Sequence, residues 1–182
     1  MKPPTLVGAR VRLRPWRKAD LKGFAKINAD ADVMRHFPAP LSREQSDGFA
    51  ASISERFALN GYGLWALQVP GIAFAGFVGL MPALRFEFEF AEVLHPPTEI
   101  GWRLARAAWG QGYASEAARL VLQFAWAHTQ LAQLVSFTAQ SNQASQAVMQ
   151  RIGMRWLGEF AHPRIELGHP LRPHVLYVID RP

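Results

Sequence analysis

One stretch, "TEIGWRLARAAWGQGYASEA" (residues 98–117), constrains the fold more than any other. "TEIGWRLA" reads as a strand. From about 113 to 128, Ala114, Ala117, Val121, Phe124 and Ala125 trace one face of a helix. Between the two, Gly110 and Gly112 sit two apart. A tight turn needs one glycine, whereas two at the mouth of a helix let a ligand come close to the backbone. A helix that starts directly after a strand presents unpaired N–H groups and the positive end of its dipole, and a phosphate is the usual occupant. Gln111, Gly112, Tyr113 and Ala114 supply those groups. A plain strand-to-helix turn has the same spacing. No Gly-Lys-Ser/Thr follows and the dinucleotide fingerprint is absent, which disfavours a nucleotide triphosphatase and a dehydrogenase.

The chain has 182 residues, enough for one compact domain over 1–182, and 49% of them are apolar, which argues against disorder. It has no cysteine, which excludes a disulfide framework, a thiolate zinc site and a cysteine nucleophile, and fits a cytoplasmic location. The net charge of +6 favours anionic partners such as nucleic acid, a polyphosphate cofactor or an acidic protein, although an ordinary basic surface gives the same number. The start, "MKPPTLVGARVRLRPWRK", has no apolar core of the kind a signal peptide needs. Residues 61–84 carry no charge and are numerous enough to cross a bilayer. Pro70-Gly71 near the middle, with Gly76, Gly79 and Pro82, instead predicts two buried strands joined at "VPGIA", and no membrane span.

"ARVRLRP" alternates arginine with Val11 and Leu13, predicting a first strand with one buried face and the arginines on a solvated one. "ADLKGFAKIN" reads as a short helix. "PLSREQSDGFAASISERFALNG" reads as a second, with a capping box at Ser42 and Gln45, a core stripe of Phe49, Ile53 and Phe57, and a stop at Asn60-Gly61. "RFEFEFAEV" alternates phenylalanines and either extends the sheet or forms an exposed ribbon. "LVSFTAQ" reads as a strand. "NQASQAVMQRIG" reads as a helix between an Asn142 cap and Gly153. Strands near 155–161 and 173–180 follow, and the segment between them holds His162 and His169, with His174 just beyond. Their irregular spacing among prolines predicts no metal site. The expected order is β-α-α-β-β-β-α-β-α-β-β: an α/β (α+β) fold with a mixed, mostly antiparallel central sheet flanked by helices.

"TEIGWRLARAAWGQGYASEA" followed by "SNQASQAVMQRIGM" resembles the acetyl-CoA-binding core of the GNAT superfamily of N-acetyltransferases, and more closely its RimJ/RimL-like branch of ribosomal-protein acetyltransferases. The resemblance runs over nearly the whole chain, from "VRLRPWRKADL" to the last strands. It implies that the backbone of Trp109, Gly110, Gln111, Gly112, Tyr113 and Ala114 holds a pyrophosphate. Trp109 stands where the wider family has Gln or Arg. The end of the preceding strand, Trp102, Arg103 and Leu104, is implied to pair with the pantetheine amides like an added strand. Asn142 matches an asparagine that contacts the cofactor arm, a role compatible with capping the helix.

The reaction so implied is transfer of acetyl from acetyl-CoA directly to a primary amine in a ternary complex, the amine being a protein N-terminus or a small molecule. The amine must first lose a proton, and Glu99 is the candidate base, with Glu92, Glu159 and the histidines as weaker ones. A backbone N–H near Leu104 is the natural donor to the developing oxyanion. The family's usual tyrosine, seven residues after the asparagine, is here Met149. Ser145 is the next group placed to hydrogen-bond the departing thiolate and touch the cofactor, and Tyr177 is the other hydroxyl. The branch often forms homodimers, a further implied partner. Two rival readings stand beside this one: a catalytically degenerate CoA-binding module, which the missing tyrosine favours, and a basic nucleic-acid-binding protein, which lacks any motif.

Overall fold

The computed structural model describes residues 3–84 and 86–182. Met1, Lys2 and Arg85, the residue that opens "RFEFEFAEV", lie outside the described residues. The described residues form one eight-stranded sheet in the order β1-β2-β3-β4-β5-β6-β8-β7. The strands are β1 (Leu6–Val7), β2 (Arg12–Arg14), β3 (Leu64–Val69), β4 (Ile72–Pro82), β5 (Thr98–Leu104), β6 (Gln133–Ala139), β7 (Arg155–Ala161) and β8 (Pro173–Asp180). The helices are α1 (Asp20–Ala29), α2 (Ala31–Met34), α3 (Arg43–Asn60), α4 (Tyr113–His128) and α5 (Gln143–Arg151), with a single 3₁₀ turn at Arg106–Ala108. All neighbouring strands are antiparallel except β5 and β6. The mixed, mostly antiparallel sheet read from the sequence is therefore the observed one, with β1, α2 and the 3₁₀ turn added. Two- to four-residue elements are too short to carry a period, which is why the sequence hides them.

Local chemistry sets the element ends. The capping box forms in both directions: Ser42 Oγ accepts from the Gln45 N–H, and Gln45 Oε1 accepts from the Ser42 N–H. Gly61 closes α3 in the left-handed region at φ 73°. The β3–β4 hairpin turns at Pro70-Gly71, with Gly71 at φ 74°. The uncharged stretch is thus two core strands, and no helix among the described residues is long and apolar enough to cross a membrane.

Two expectations are corrected. Arg14 does not lie on a solvated face: it is buried, its guanidinium donates to both Asp20 carboxylate oxygens at 2.8 Å, and Nη2 donates to Ala73 O. A charge-assisted fork of this kind offsets the desolvation that pattern reading assumes will keep arginine outside. The phenylalanine run forms neither strand nor ribbon. Residues 86–90 have no regular structure, and Phe86 and Phe88 pack on Phe137 of β6, with Phe88 also on Phe160 of β7. Aromatic burial here replaces the strand pairing that alternation suggests.

The sheet separates two layers. Cross-strand partners share a face, so Phe77 and Arg103, Gly79 and Gly101, and Met81 and Glu99 point to one side, toward α1 and α3. Ile100, Trp102 and Leu104 point to the other, where α4 and α5 pack over Leu134 and Tyr177.

Candidate active site

Strands β5 and β6 touch at one register, Glu99 opposite Val135, and then part. The Ala105 N–H donates to Ala75 O, so odd-numbered residues of β5 turn their backbone groups toward β4. By the period of two, Ile100, Trp102 and Leu104 turn theirs toward the gap. Trp102 and Leu104 thus offer a strand edge, as expected, while the Arg103 backbone faces β4 and only its side chain reaches the cleft. The Leu104 carbonyl is already taken: the Trp109 indole N–H donates to it at 2.9 Å.

The gap opens into one cleft of about 960 Å³ lined from both faces of the sheet. On the α4 side lie Gly110, Gly112, Tyr113, Ala114, Asn142 and Ser145, together with Met149. On the other side lie Glu99, Gly101, Arg103, Phe37, Phe86, Phe137, His162 and His174. Segments near 32–38, at Phe86 and at 162–165 each contribute to the lining.

Gly110 and Gly112 both sit in the left-handed region, at φ 71° and 78°. That region, which costs a residue with a Cβ about 1–2 kcal/mol, explains why two glycines are needed. Gly112 is the cap of α4 and brings no side chain to it. The first helical bond runs from the Glu116 N–H to Gly112 O, so the N–H groups of 113–115 have no acceptor within the helix. Arg10 braces the turn: its guanidinium donates to Gln111 O at 2.9 Å and to Glu116 Oε2 at 2.9 Å, and its N–H donates to Glu116 Oε1 at 2.7 Å. Burial pushes the Glu116 carboxyl up, but these bonds from Arg10 outweigh it and hold it below its usual range. The Gln111 side chain does not line the cleft. An uncapped helix start, paired glycines and nearby arginines fit a pyrophosphate.

Asn142 caps α5, its Oδ1 accepting from the Ser145 N–H at 3.3 Å. Its Nδ2 donates to Thr138 Oγ1 at 2.9 Å and to Ser145 Oγ at 3.1 Å. The Ser145 hydroxyl is an acceptor in that bond, so its own proton is left to point elsewhere. Tyr177 is not brought to the cleft. It is buried on the α5 side, where its hydroxyl donates to Gln146 Oε1 at 3.4 Å and accepts from Gln150 Nε2 at 3.3 Å.

Glu99 stands at the vertex where the strands part. Burial pushes its carboxyl up to about 8, and the Arg103 guanidinium on the same face pulls only weakly the other way. The carboxylate leans along the strand, its Oε1 3.3 Å from where a Cβ on Gly101 would be. Glu92 and Glu159 lie away from the cleft; Glu92 O and Glu159 Oε1 accept from Gln133 and Gln140. His162 and His174 come together, ring centres 4.7 Å apart, beside Phe86 and Phe160. Burial, then the neighbouring His174, lowers His162 to about 4, and burial lowers His174 as well. His169 does not join them. Sequence reading missed the side chain of Arg103, although the period Glu99-Gly101-Arg103 was a usable signal, and it missed the brace by Arg10.

Residues 10–155 match the family model described as an acetyltransferase (GNAT) domain. The chain is 30% identical over 160 residues to FsC-acetyl coenzyme A-N(2)-transacetylase of Aspergillus fumigatus, covering 86% of this chain and 67% of that one. In fold it is similar to an acetyltransferase from Agrobacterium tumefaciens, with a TM-score of 0.76 at 24% identity over 99% of this chain and 96% of that one. It is likewise similar to Mycobacterium smegmatis RimJ in complex with CoA-disulfide, with a TM-score of 0.75 at 20% identity over 99% of this chain and 90% of that one.

Proposed function

The chain belongs to the GNAT acetyltransferase family, and on that premise we propose that it is a single acetyltransferase domain over 1–182 that transfers acetyl from acetyl-CoA directly to a primary amine. The observation that carries this reading is the cleft through the sheet. Its α4 side offers an anion cradle, its other side offers a carboxyl group of raised basicity, and the parting of β5 from β6 joins them.

The residues fit the cofactor. The N–H groups of 113–115 would hold the pyrophosphate, and the edge offered by Trp102 and the Leu104 N–H would pair with the amide-bearing arm. Acetyl-CoA supplies an acyl group activated as a thioester. Everything else falls to the protein. An ammonium group with a pKa near 9–10 gives up its proton less unfavourably to a carboxylate at about 8 than to one at about 4.5, so burial makes Glu99 the better base. The backbone N–H groups turned into the gap meet negative charge growing on an acyl oxygen. The Ser145 hydroxyl, oriented by Asn142, meets charge left on sulfur. With Met149 where a tyrosine acid would stand, that hydrogen bond replaces proton donation.

Calorimetric titration with acetyl-CoA tests the reading. Micromolar binding is expected in the wild type and not in Gly112→Glu, whose carboxylate occupies the cradle, and amine-dependent release of free thiol is expected to accompany it. An absence of binding in the wild type sinks both the enzyme and the CoA-binding module. Binding without thiol release across an amine panel leaves only the module.

A further inference from the structure

The Arg103 guanidinium is a fixed cation on the same side of the sheet as Glu99. It is held over the Phe37 ring at 4.3 Å and the Phe77 ring at 5.6 Å, and Nη1 donates to Asn28 Oδ1 at 2.6 Å. Asn28 is fully buried on α1, so the clamp is rigid. Nε is buried with no partner, and among the described residues no carboxylate forms an ion pair with Arg103, Glu99 acting on it only through space. The other two carboxylates that line the cleft are spent, Asp32 on Arg106 and Glu116 on Arg10. A held guanidinium with no carboxylate in direct contact is a costly arrangement unless a ligand supplies one. Between Arg103 and Glu99 lies Gly101, which carries no side chain; the Glu99 carboxylate leans to the edge of the space this leaves, its Oε1 3.3 Å from where a Cβ would be. Beyond Glu99 the wall becomes apolar, made of Phe86, Phe137 and the uncharged His162.

We infer that the acceptor is a small amine that also carries a carboxylate, an amino acid with an apolar side chain, and that Arg103 is the residue that selects it by binding that carboxylate. The amine lies at Glu99, the carboxylate reaches past Gly101 to Arg103, and the side chain enters the aromatic wall. A polyamine finds no spare negative charge in this cleft, and a protein N-terminus has an amide where Arg103 calls for an anion. The inference rests on the acetyl-transfer reading above.

The test is thiol release with free L-amino acids, each set against the amine that remains when its carboxylate is removed, for example phenylalanine against phenethylamine, with spermidine and a short peptide alongside. Phenylalanine or another apolar amino acid is expected to exceed its decarboxylated partner in kcat/KM by at least about 100-fold, because a site built around a polar group rejects an analogue that lacks it. In R103M that ratio is expected to collapse through loss on the amino acid alone, and R103K is expected to restore part of it. The acetyl-CoA Kd, measured by calorimetry, is expected to hold in both variants, which also reports that they fold. Equal turnover of acid and amine by the wild type overturns the inference, as does preferred turnover of spermidine or peptide, or no turnover of any amino acid. A weakened acetyl-CoA Kd in R103M assigns the guanidinium to a cofactor phosphate and overturns it too. If the wild type fails to bind acetyl-CoA at all, the parent reading falls first, and the inference with it.

Discussion

The indole N–H of Trp109 donates to the backbone carbonyl of Leu104 at 2.9 Å, and that bond ties the glycine turn to the last residue of β5. It fixes how far the cradle stands from the strand edge, the two surfaces that one extended ligand must touch together. Trp109→Phe keeps the ring and removes the donor. The bond is made in the unliganded fold and contributes about 1 kcal/mol, so the melting temperature is expected to fall by about 2–4 °C, and acetyl-CoA binding to weaken by up to about fivefold as the cradle loosens. Calorimetry and a thermal melt check both halves.

Glu99 gives the sharpest pH signature. The base must be unprotonated, and burial holds its carboxyl at about 8, so kcat/KM is expected to climb with pH and level off above about 8. Glu99→Gln is expected to lose about 100-fold or more in activity and to flatten the climb. Stability moves the opposite way. A carboxyl whose folded pKa lies above its unfolded value favours the folded state at low pH, and that contribution is lost as pH rises from 4.5 through about 8. Urea titrations are expected to show Glu99→Gln gaining on the wild type as pH rises to 9.

The Asn142–Ser145 bond separates capping from chemistry. Ser145→Ala leaves the Asn142 cap on the Ser145 N–H in place, so its stability loss is expected to be small, while kcat falls about tenfold and the KM for acetyl-CoA holds. Asn142→Ala removes the cap and the orientation of the hydroxyl together. It is expected to cost about 1 kcal/mol of stability in urea as well as the activity.

The histidine pair has its own linkage. His162 is held to about 4 in the folded protein, so between about 6.5 and 4 the unfolded chain binds a proton that the folded one refuses. Stability is therefore expected to fall as pH drops through that window. His162→Phe is expected to make the fall shallower, with the rest belonging to His174.

Long periodic elements and caps were legible in the sequence: the helix after the glycine turn, the capping box at Ser42 and the strand "TEIGWRL" all form where pattern and cap chemistry place them. The glycines at 110 and 112 were legible as a place where a ligand can near the backbone, while their left-handed conformation came only with the structure. What pattern could not reveal depends on partners far along the chain. Arg14 is buried because Asp20 and Ala73 meet it, and Arg103 is clamped because Asn28 and Phe37 arrive from α1 and the segment after it. Tyr177 looked available as a hydroxyl, but its strand register turns it toward α5, away from the cleft. A one-residue period decides such outcomes, and sequence alone does not say which face holds the cleft.

The lone register between Glu99 and Val135 makes the sheet two plates joined at a single rung. Plate β1–β5 and plate β6–β8 are each laced by antiparallel ladders, while the only strand pairing across the seam among the described residues is that rung. An extended ligand bonding along Trp102 and Leu104, as proposed above, would act as a ninth strand in part of that seam and tie the two plates further. Hydrogen exchange would register the change as slowing at the amides of β5 that face the seam, with the amides buried within each plate unaffected. On the proposed reading the sheet is built one strand short, and the ligand supplies that strand.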